Sequence, residues 1–253
     1  MTRRRFKTLL VAIETPLERQ QPALRRAVGL AQRTGARLIL FHSAFDPYVT
    51  THSSFYSATP GDIDKFLAER RAALEKLATP LRRLGLKVSV KTEWDYPAHE
   101  AIVRETLRSK PDVVVAQSRQ HSVGARVFFT NTDWQLIRLC PAPLLFVKQP
   151  RTYGKARVLA AIDPLHSADK PARLDRLILD AAGAMTAAYS GRLDVAHAWL
   201  SPSLTMVSTS AEPMAIHADP TLDAQHERYV KRAVQRCVAP RDLPQRELPL
   251  ELG

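Results

Sequence analysis

Short apolar runs alternate with stretches whose apolar residues recur at three- and four-residue spacing. Lys7–Ile13 (KTLLVAI), Arg37–His42 (RLILFH), Lys87–Thr92 (KVSVKT), Asp112–Ala116 (DVVVA) and Leu144–Val147 (LLFV) read as strands. Between them the spacing predicts helices. The first runs from Pro22 to Thr34 with Leu24, Ala27, Val28 and Ala31 on one face, and Gly35 stops it. A long helix follows a polar loop ending near Gly61, with Phe66, Leu74, Leu77, Leu81 and Leu84 on its apolar face. Pro80 removes a backbone bond inside it and is expected to kink or split it. A third helix runs from Pro97 to Ser109 with Ile102 and Val103 inward, and a short one covers about Asp133 to Leu139. This alternation predicts right-handed βαβ units and a mostly parallel, open five-stranded sheet with helices on both faces, an α/β class.

The pattern then restarts. VLAAID (158–163) repeats the character of VAIE (11–14), an apolar strand ending in one carboxylate, so Asp163 falls where Glu14 did. A helix follows with Leu174, Leu177, Ile178, Ala181 and Met185 inward, stopped by Gly191 as the first was by Gly35. RLDVAH (192–197) echoes RLILFH (37–42), and His42 and His197 end equivalent strands as features of the fold. The reading is a tandem repeat, with domain one over 1–150 and an incomplete second copy over 151–253. The second copy continues through a Ser/Thr/Pro-rich loop (201–220), a helix over about Leu222 to Val238 and a weak strand near Arg246 to Leu250. It lacks counterparts of the later elements, as if truncated, and leaves VLAAI as an exposed apolar edge. Such an edge recruits another strand or aggregates, so self-association, by intramolecular domain pairing or as a homodimer, is expected.

Composition narrows the classes. The 253 residues are 45% hydrophobic and 25% charged, as in ordinary globular proteins. Glycine is scarce, with 9 residues where average usage gives roughly 18, so few loops can crowd their backbone around an anion. No apolar run reaches the ~20 residues of a membrane span, and no signal peptide is evident. Cys140 and Cys237 are the only cysteines and suit a reducing compartment. Together these point to the cytoplasm and away from membranes. A net charge of +12 raises nucleic acid as a partner, but the charges are scattered and the one run, Arg3-Arg4-Arg5 with Lys7 nearby, is short. No aromatic–basic interleaving supports base stacking, so this reading ranks last.

Catalytic and metal motifs fail on inspection. HEAIV (99–103) has Val103 where a zinc site needs its second histidine. SADK (167–170) has no accompanying motif. Gly154-Lys155 lacks both the upstream glycine and the following Ser/Thr of a phosphate loop. No nucleophile–base–orienter set stands at recognisable spacing, and no metal site is expected. The loop after DVVVA is where a parallel sheet places ligands, yet it opens with Gln117, Ser118, Arg119 and Gln120.

QPALRRAVGLAQRTG (21–35), TNTDWQLIRLCPAPLLFVK (130–148) and the paired carboxylates closing the two first strands resemble the universal stress protein family, in its tandem-domain E-type form. The resemblance implies a Rossmann-like fold and a non-enzymatic binding or regulatory role in the stress response. It also implies a nucleotide site made by an aspartate ending strand one and a glycine-patterned loop. Carried over by position, the aspartate place is Glu14. The three glycine places are Gln117, Gln120 and Thr130, with Asn131 at the Ser/Thr place, while Gly124 fits no motif position. Side chains at these places occupy the room phosphates need and resist positive φ. Domain one is therefore expected not to bind ATP and to need no cofactor. Asp163 keeps the family's residue type, so ATP is expected only through a complete second domain, and a slow ATPase acting there is the alternative. Tyr48, Phe55 and Tyr56, in the long loop after strand two, are candidates for lining a small apolar pocket.

Overall fold

A computed structural model describes residues 6–47, 49, 60–118, 131–149, 153–165, 173–199 and 220–239. The chain divides into two compact units, Arg5–Tyr153 and one that contains Gly154–Gly253.

The first unit is built on five parallel strands: β1 (Thr8–Ala12), β2 (Arg37–Ala44), β3 (Val88–Trp94), β4 (Val113–Gln117) and β5 (Leu144–Val147). Their order is β3-β2-β1-β4-β5. β1 is central and every residue in it is buried, as its unbroken apolar run requires of a strand covered on both faces. It registers Leu10 against Ile39 on one side and Val114 on the other. The Asp112 carboxylate accepts the backbone N–H groups of Lys7 at 2.7 Å and Thr8 at 2.9 Å, which pins the start of β1 to the start of β4.

The helices are α1 (Pro22–Thr34), α2 (Pro60–Arg83), α3 (Ala98–Ser109) and α4 (Asn131–Leu139). Alternate residues of the strands face opposite sides. Leu10, Ala12, Ile39, Phe41, Val114 and Ala116 form one core with Ala101 and Ile102 of α3 and Leu136 of α4. Leu9, Val11, Leu38 and Leu40 lie on the opposite face and are fully buried. α1 packs there with Ala23, Leu24, Ala27, Leu30 and Ala31 buried, reaching β1, β2, β4 and β5. The open α/β sheet with helices on both faces is thus the one the hydrophobic pattern predicts.

Two expectations for α2 need correction. Pro80 does not split it: the helix runs through to Arg83. Pro80 opens the last turn, where the missing donor deprives only one exposed carbonyl of its partner. Leu84 is not on the apolar face but 67% exposed, just beyond the helix in the turn that Gly85 closes with φ 82°. In α3, Glu105 is fully buried on the inward face; its carboxylate takes Lys91 Nζ at 2.7 Å and lies 3.4 Å from Arg108 Nε.

The second unit has β6 (Arg157–Ala161) and β7 (Arg192–Ala196) as a parallel pair, with α5 (Leu174–Ala188) and α6 (Pro220–Val238). Its core gathers Ala160, Ile162, Leu179, Ala182 and Leu193. The inward face of α5 differs from the expectation. Asp175, Leu179, Ala182 and Thr186 are buried, while Leu174 and Leu177 are 37% and 44% exposed. Gly191 also differs from Gly35. Gly35 takes φ 73° and caps α1, whereas Gly191 sits against the Ala156 backbone and Ser190 takes the positive φ after α5. The expected strand near 246–250 and the loop 201–219 lie outside the described residues.

Candidate functional site

In a parallel sheet the strand ends leave backbone groups and side chains converging above the C-terminal edge. In the first unit β1 and β4 are neighbours, so the residues just past β1 and the end of β4 share one corner. Ile13 donates its N–H to Phe41 O at 2.8 Å, and its own carbonyl accepts Nδ1–H of the buried His42 at 2.8 Å. This latch ties the end of β2 to the end of β1. Burial pushes the His42 imidazole below its ordinary range; the carbonyl bond opposes that shift, and the Arg70 guanidinium adds to it. Glu14, the next residue, is exposed at this corner.

The other wall is the end of β4. Gln117 is half-buried and registers against Val147 of β5. Ser118 follows, donating its N–H to Val147 O at 3.1 Å and its hydroxyl to Asp133 Oδ2 at 3.0 Å. Ser118 is 4% and Asp133 2% exposed. Asp133 stands in the first turn of α4, where unpaired N–H groups and the helix dipole favour negative charge. The first turn of α4, beside the end of β4, therefore carries a carboxylate of the protein's own. Asn131 begins α4. Gln120, Thr130, Tyr48, Phe55 and Tyr56 lie outside the described residues.

Of the residues singled out from the sequence, Glu14 and Gln117 come together on adjacent strand ends, and Asp163 belongs to the second unit. Sequence reasoning missed Ser118 and Asp133. They stand 15 positions apart in the sequence, with no local pattern that ties one to the other. It also missed an aromatic group further along the edge. Phe45 packs on Trp94 and Tyr96 with ring centroids 5.3 and 4.9 Å apart, and Phe66 of α2 meets Trp94 at 5.7 Å. The Arg70 guanidinium lies over the Phe66 ring at 4.5 Å.

The second unit repeats the latch. Ile162 donates its N–H to Ala196 O at 2.9 Å, and its carbonyl accepts His197 Nδ1–H at 2.9 Å. Asp163 follows as Glu14 does, 4.0 Å from His197 Nδ1. Its backbone N–H donates to Asp175 Oδ1 in the first turn of α5 at 3.1 Å. His197 Nε2 and Trp199 Nε1 are buried without a hydrogen-bond partner among the described residues. Trp199 lies against the His226 ring at 5.0 Å. Among the described residues no group of three or more His, Cys, Asp or Glu is placed to hold a metal ion, and no helix is long and apolar enough to cross a membrane.

Residues 5–148 match the model of a family described as the universal stress protein family. Universal stress protein E of Escherichia coli K12 is 34% identical over 169 residues, covering 64% of this chain and 53% of that protein. Universal stress protein E of Photorhabdus laumondii is 30% identical over 159 residues, covering 62% of this chain and 50% of that one. The chain thus spans about half the length of the curated relatives it matches. Among solved structures, a functionally unknown protein of Pseudomonas aeruginosa PAO1 superposes with a TM-score of 0.62 at 23% identity, over 91% of this chain and 69% of that one. That likeness speaks for the fold.

Proposed function

The chain belongs to the universal stress protein family, and on that premise we propose that it serves as a non-enzymatic binding or regulatory module of the cytoplasmic stress response whose first unit does not hold ATP. The observation that supports the second part is the Ser118–Asp133 pair. A phosphate drawn to the start of α4 would meet a buried carboxylate there. Two like charges about 4 Å apart repel by about 4 kcal/mol at an effective dielectric of 20. Micromolar affinity amounts to about −8 kcal/mol, so this repulsion removes a large share of it. Gln117 at the end of β4 works in the same direction, because a side chain stands where a glycine would leave room.

A second reading, nucleotide binding through the unit holding Asp163, is favoured by one observation. His197 Nε2 and Trp199 Nε1 are buried beside that strand end and make no hydrogen bond among the described residues, and a ligand offering polar atoms would satisfy them.

Calorimetric titration with Mg-ATP separates the readings. The first expects no binding in the micromolar range by the wild-type chain. Micromolar binding that Asp163→Ala abolishes selects the second reading. Micromolar binding that Asp163→Ala leaves intact overturns the claim about the first unit.

A further inference from the structure

Most described arginines of the first unit satisfy their N–H groups in one of two ways. Exposed ones, Arg25 and Arg71 for example, face water. Others reach a carboxylate: Arg82 takes Glu75, Arg104 takes Asp95 and Arg108 takes Glu93. Arg70, on α2, does neither. It is half-buried, and among the described residues it makes no hydrogen bond and no ion pair. No undescribed carboxylate of this unit is left to supply one. Stretches 48–59, 119–130 and 150–152 contain neither Asp nor Glu, so every acidic residue of the first unit is already among the described ones. A partly desolvated charge without a counter-charge is costly. Its compensation is the Phe66 ring, one turn earlier in α2, with the guanidinium 4.5 Å from the centroid. A ring offers its face to the charge but no oxygen to the five N–H groups.

The same ring opens a row that leads outward. Phe66 meets Trp94 edge-on, Trp94 meets Phe45, and Phe45 meets Tyr96 with the two ring planes only 33° apart. Trp94 ends β3 in register with Ala44, which ends β2, so the row crosses the tips of these two strands. The tips are fixed. Ser43 donates its hydroxyl to Asp95 O at 2.6 Å, and Asp95 gives its carboxylate to Arg104 at 2.6 Å. The outer rings are open: Phe45 is 40% and Tyr96 70% exposed. Nearby acids are therefore neutralised at Asp95 and Glu93 by Arg104 and Arg108, while the cation at the inner end of the row is not. One guanidinium balances one negative charge, and its planar fork matches the two oxygens of a carboxylate. Exposed, nearly parallel rings stack best with another flat ring.

We propose that the tips of β2 and β3, together with α2, form a site for a small aromatic carboxylate, its carboxylate on the Arg70 fork and its flat body laid along the rings toward Phe45. The site lies beside the corner shared by β1 and β4 and uses neither Glu14 nor Gln117, so it stands whether or not either unit holds a nucleotide.

The test titrates the 253-residue chain with naphthalene-2-carboxylate, read by calorimetry and by the indole N–H signals of its three tryptophans in NMR spectra. Saturable binding is expected, with the Trp94 signal shifted. Naphthalene-2-carboxamide, of the same shape without the charge, should bind about tenfold more weakly, and acetate, with the charge but no ring, should not bind measurably. Arg70→Gln should weaken binding of the carboxylate about tenfold and leave that of the carboxamide unchanged, and Arg70→Lys should restore part of the loss. Phe45→Leu, at an exposed position, should weaken both probes several-fold. The comparison of the two probes uses the wild-type chain, so it decides even where a variant fails to fold. Absence of saturable binding, equal affinity for the two probes, unchanged affinity in Arg70→Gln, or shifts confined to Trp134 or Trp199 would each overturn the proposal.

Discussion

His42 illustrates how a single residue acquires a role from where its strand ends. A histidine closing RLILFH has no special chemistry in the sequence. In the fold its Nδ1–H is committed to Ile13 O, and burial together with the Arg70 charge holds the ring neutral against the opposing pull of that bond. Its folded pKa lies below the ordinary value of 6.5, so between the two values the unfolded chain binds a proton that the folded chain refuses. Stability is then complete above about 6.5 and declines as pH falls from there toward the lowered folded value. Chemical denaturation of wild type and His42→Asn at pH 7.5 and 5.5 checks this: the variant should lose less stability between the two pH values. An equal loss would place the titrating group elsewhere. The Ser118–Asp133 bond was not legible for a different reason. It depends on two elements 15 residues apart closing on one corner, and no spacing rule in one dimension encodes that meeting.

At the scale of elements the hydrophobic pattern carried most of the fold. β1, α1, β5 and the order of strands and helices were readable because buried parallel strands are unbroken apolar runs and α1 keeps its stripe. What escaped were faces and ends. α5 has apolar residues nearly all round, so its periodicity did not distinguish Leu177 from Leu179, and packing against β6 and β7 chose Leu179. Glu105 escaped because a carboxylate is the last residue expected on a buried face, and it is tolerated there by Lys91 and Arg108. The two glycines that ended helices in the sequence turned out to serve unlike ends. A Cβ on Gly35 would meet nothing within 4 Å and suffer only from φ 73°, while one on Gly191 would stand 2.1 Å from Ala156 O. Gly35→Ala should cost about 1 kcal/mol. Gly191→Ala should cost more, about 1–3 kcal/mol, because the obstacle is main chain at the joint between β6 and β7. Paired thermal melts of the two variants decide it, and a smaller loss at Gly191 would contradict the close approach.

For the whole molecule, the contrast between the units matters most. Arg5–Tyr153 encloses a sheet with both faces covered and its central strand fully buried. Among the described residues of Gly154–Gly253 there is a two-stranded sheet, with Leu159, Leu174 and Leu177 exposed around it. Two strands are marginal without further cover. A polypeptide of residues 5–153 is expected to unfold cooperatively by circular dichroism, with a single transition, and one of residues 154–253 to show a broad and weak one. A sharp transition in the second and none in the first would reverse this assignment. The net charge of +12 is a property of the chain as a whole and marks no site in the fold by itself.

The Asp112 clamp on Lys7 and Thr8 joins positions 105 and 104 residues apart. During synthesis the amino-terminal strand leaves the ribosome long before the carboxylate that seats it has been made. At about 5–20 residues per second the delay is on the order of ten seconds. Through that interval TLLVA is an apolar segment without its central position, and it is the stretch that a nascent-chain chaperone has most reason to hold.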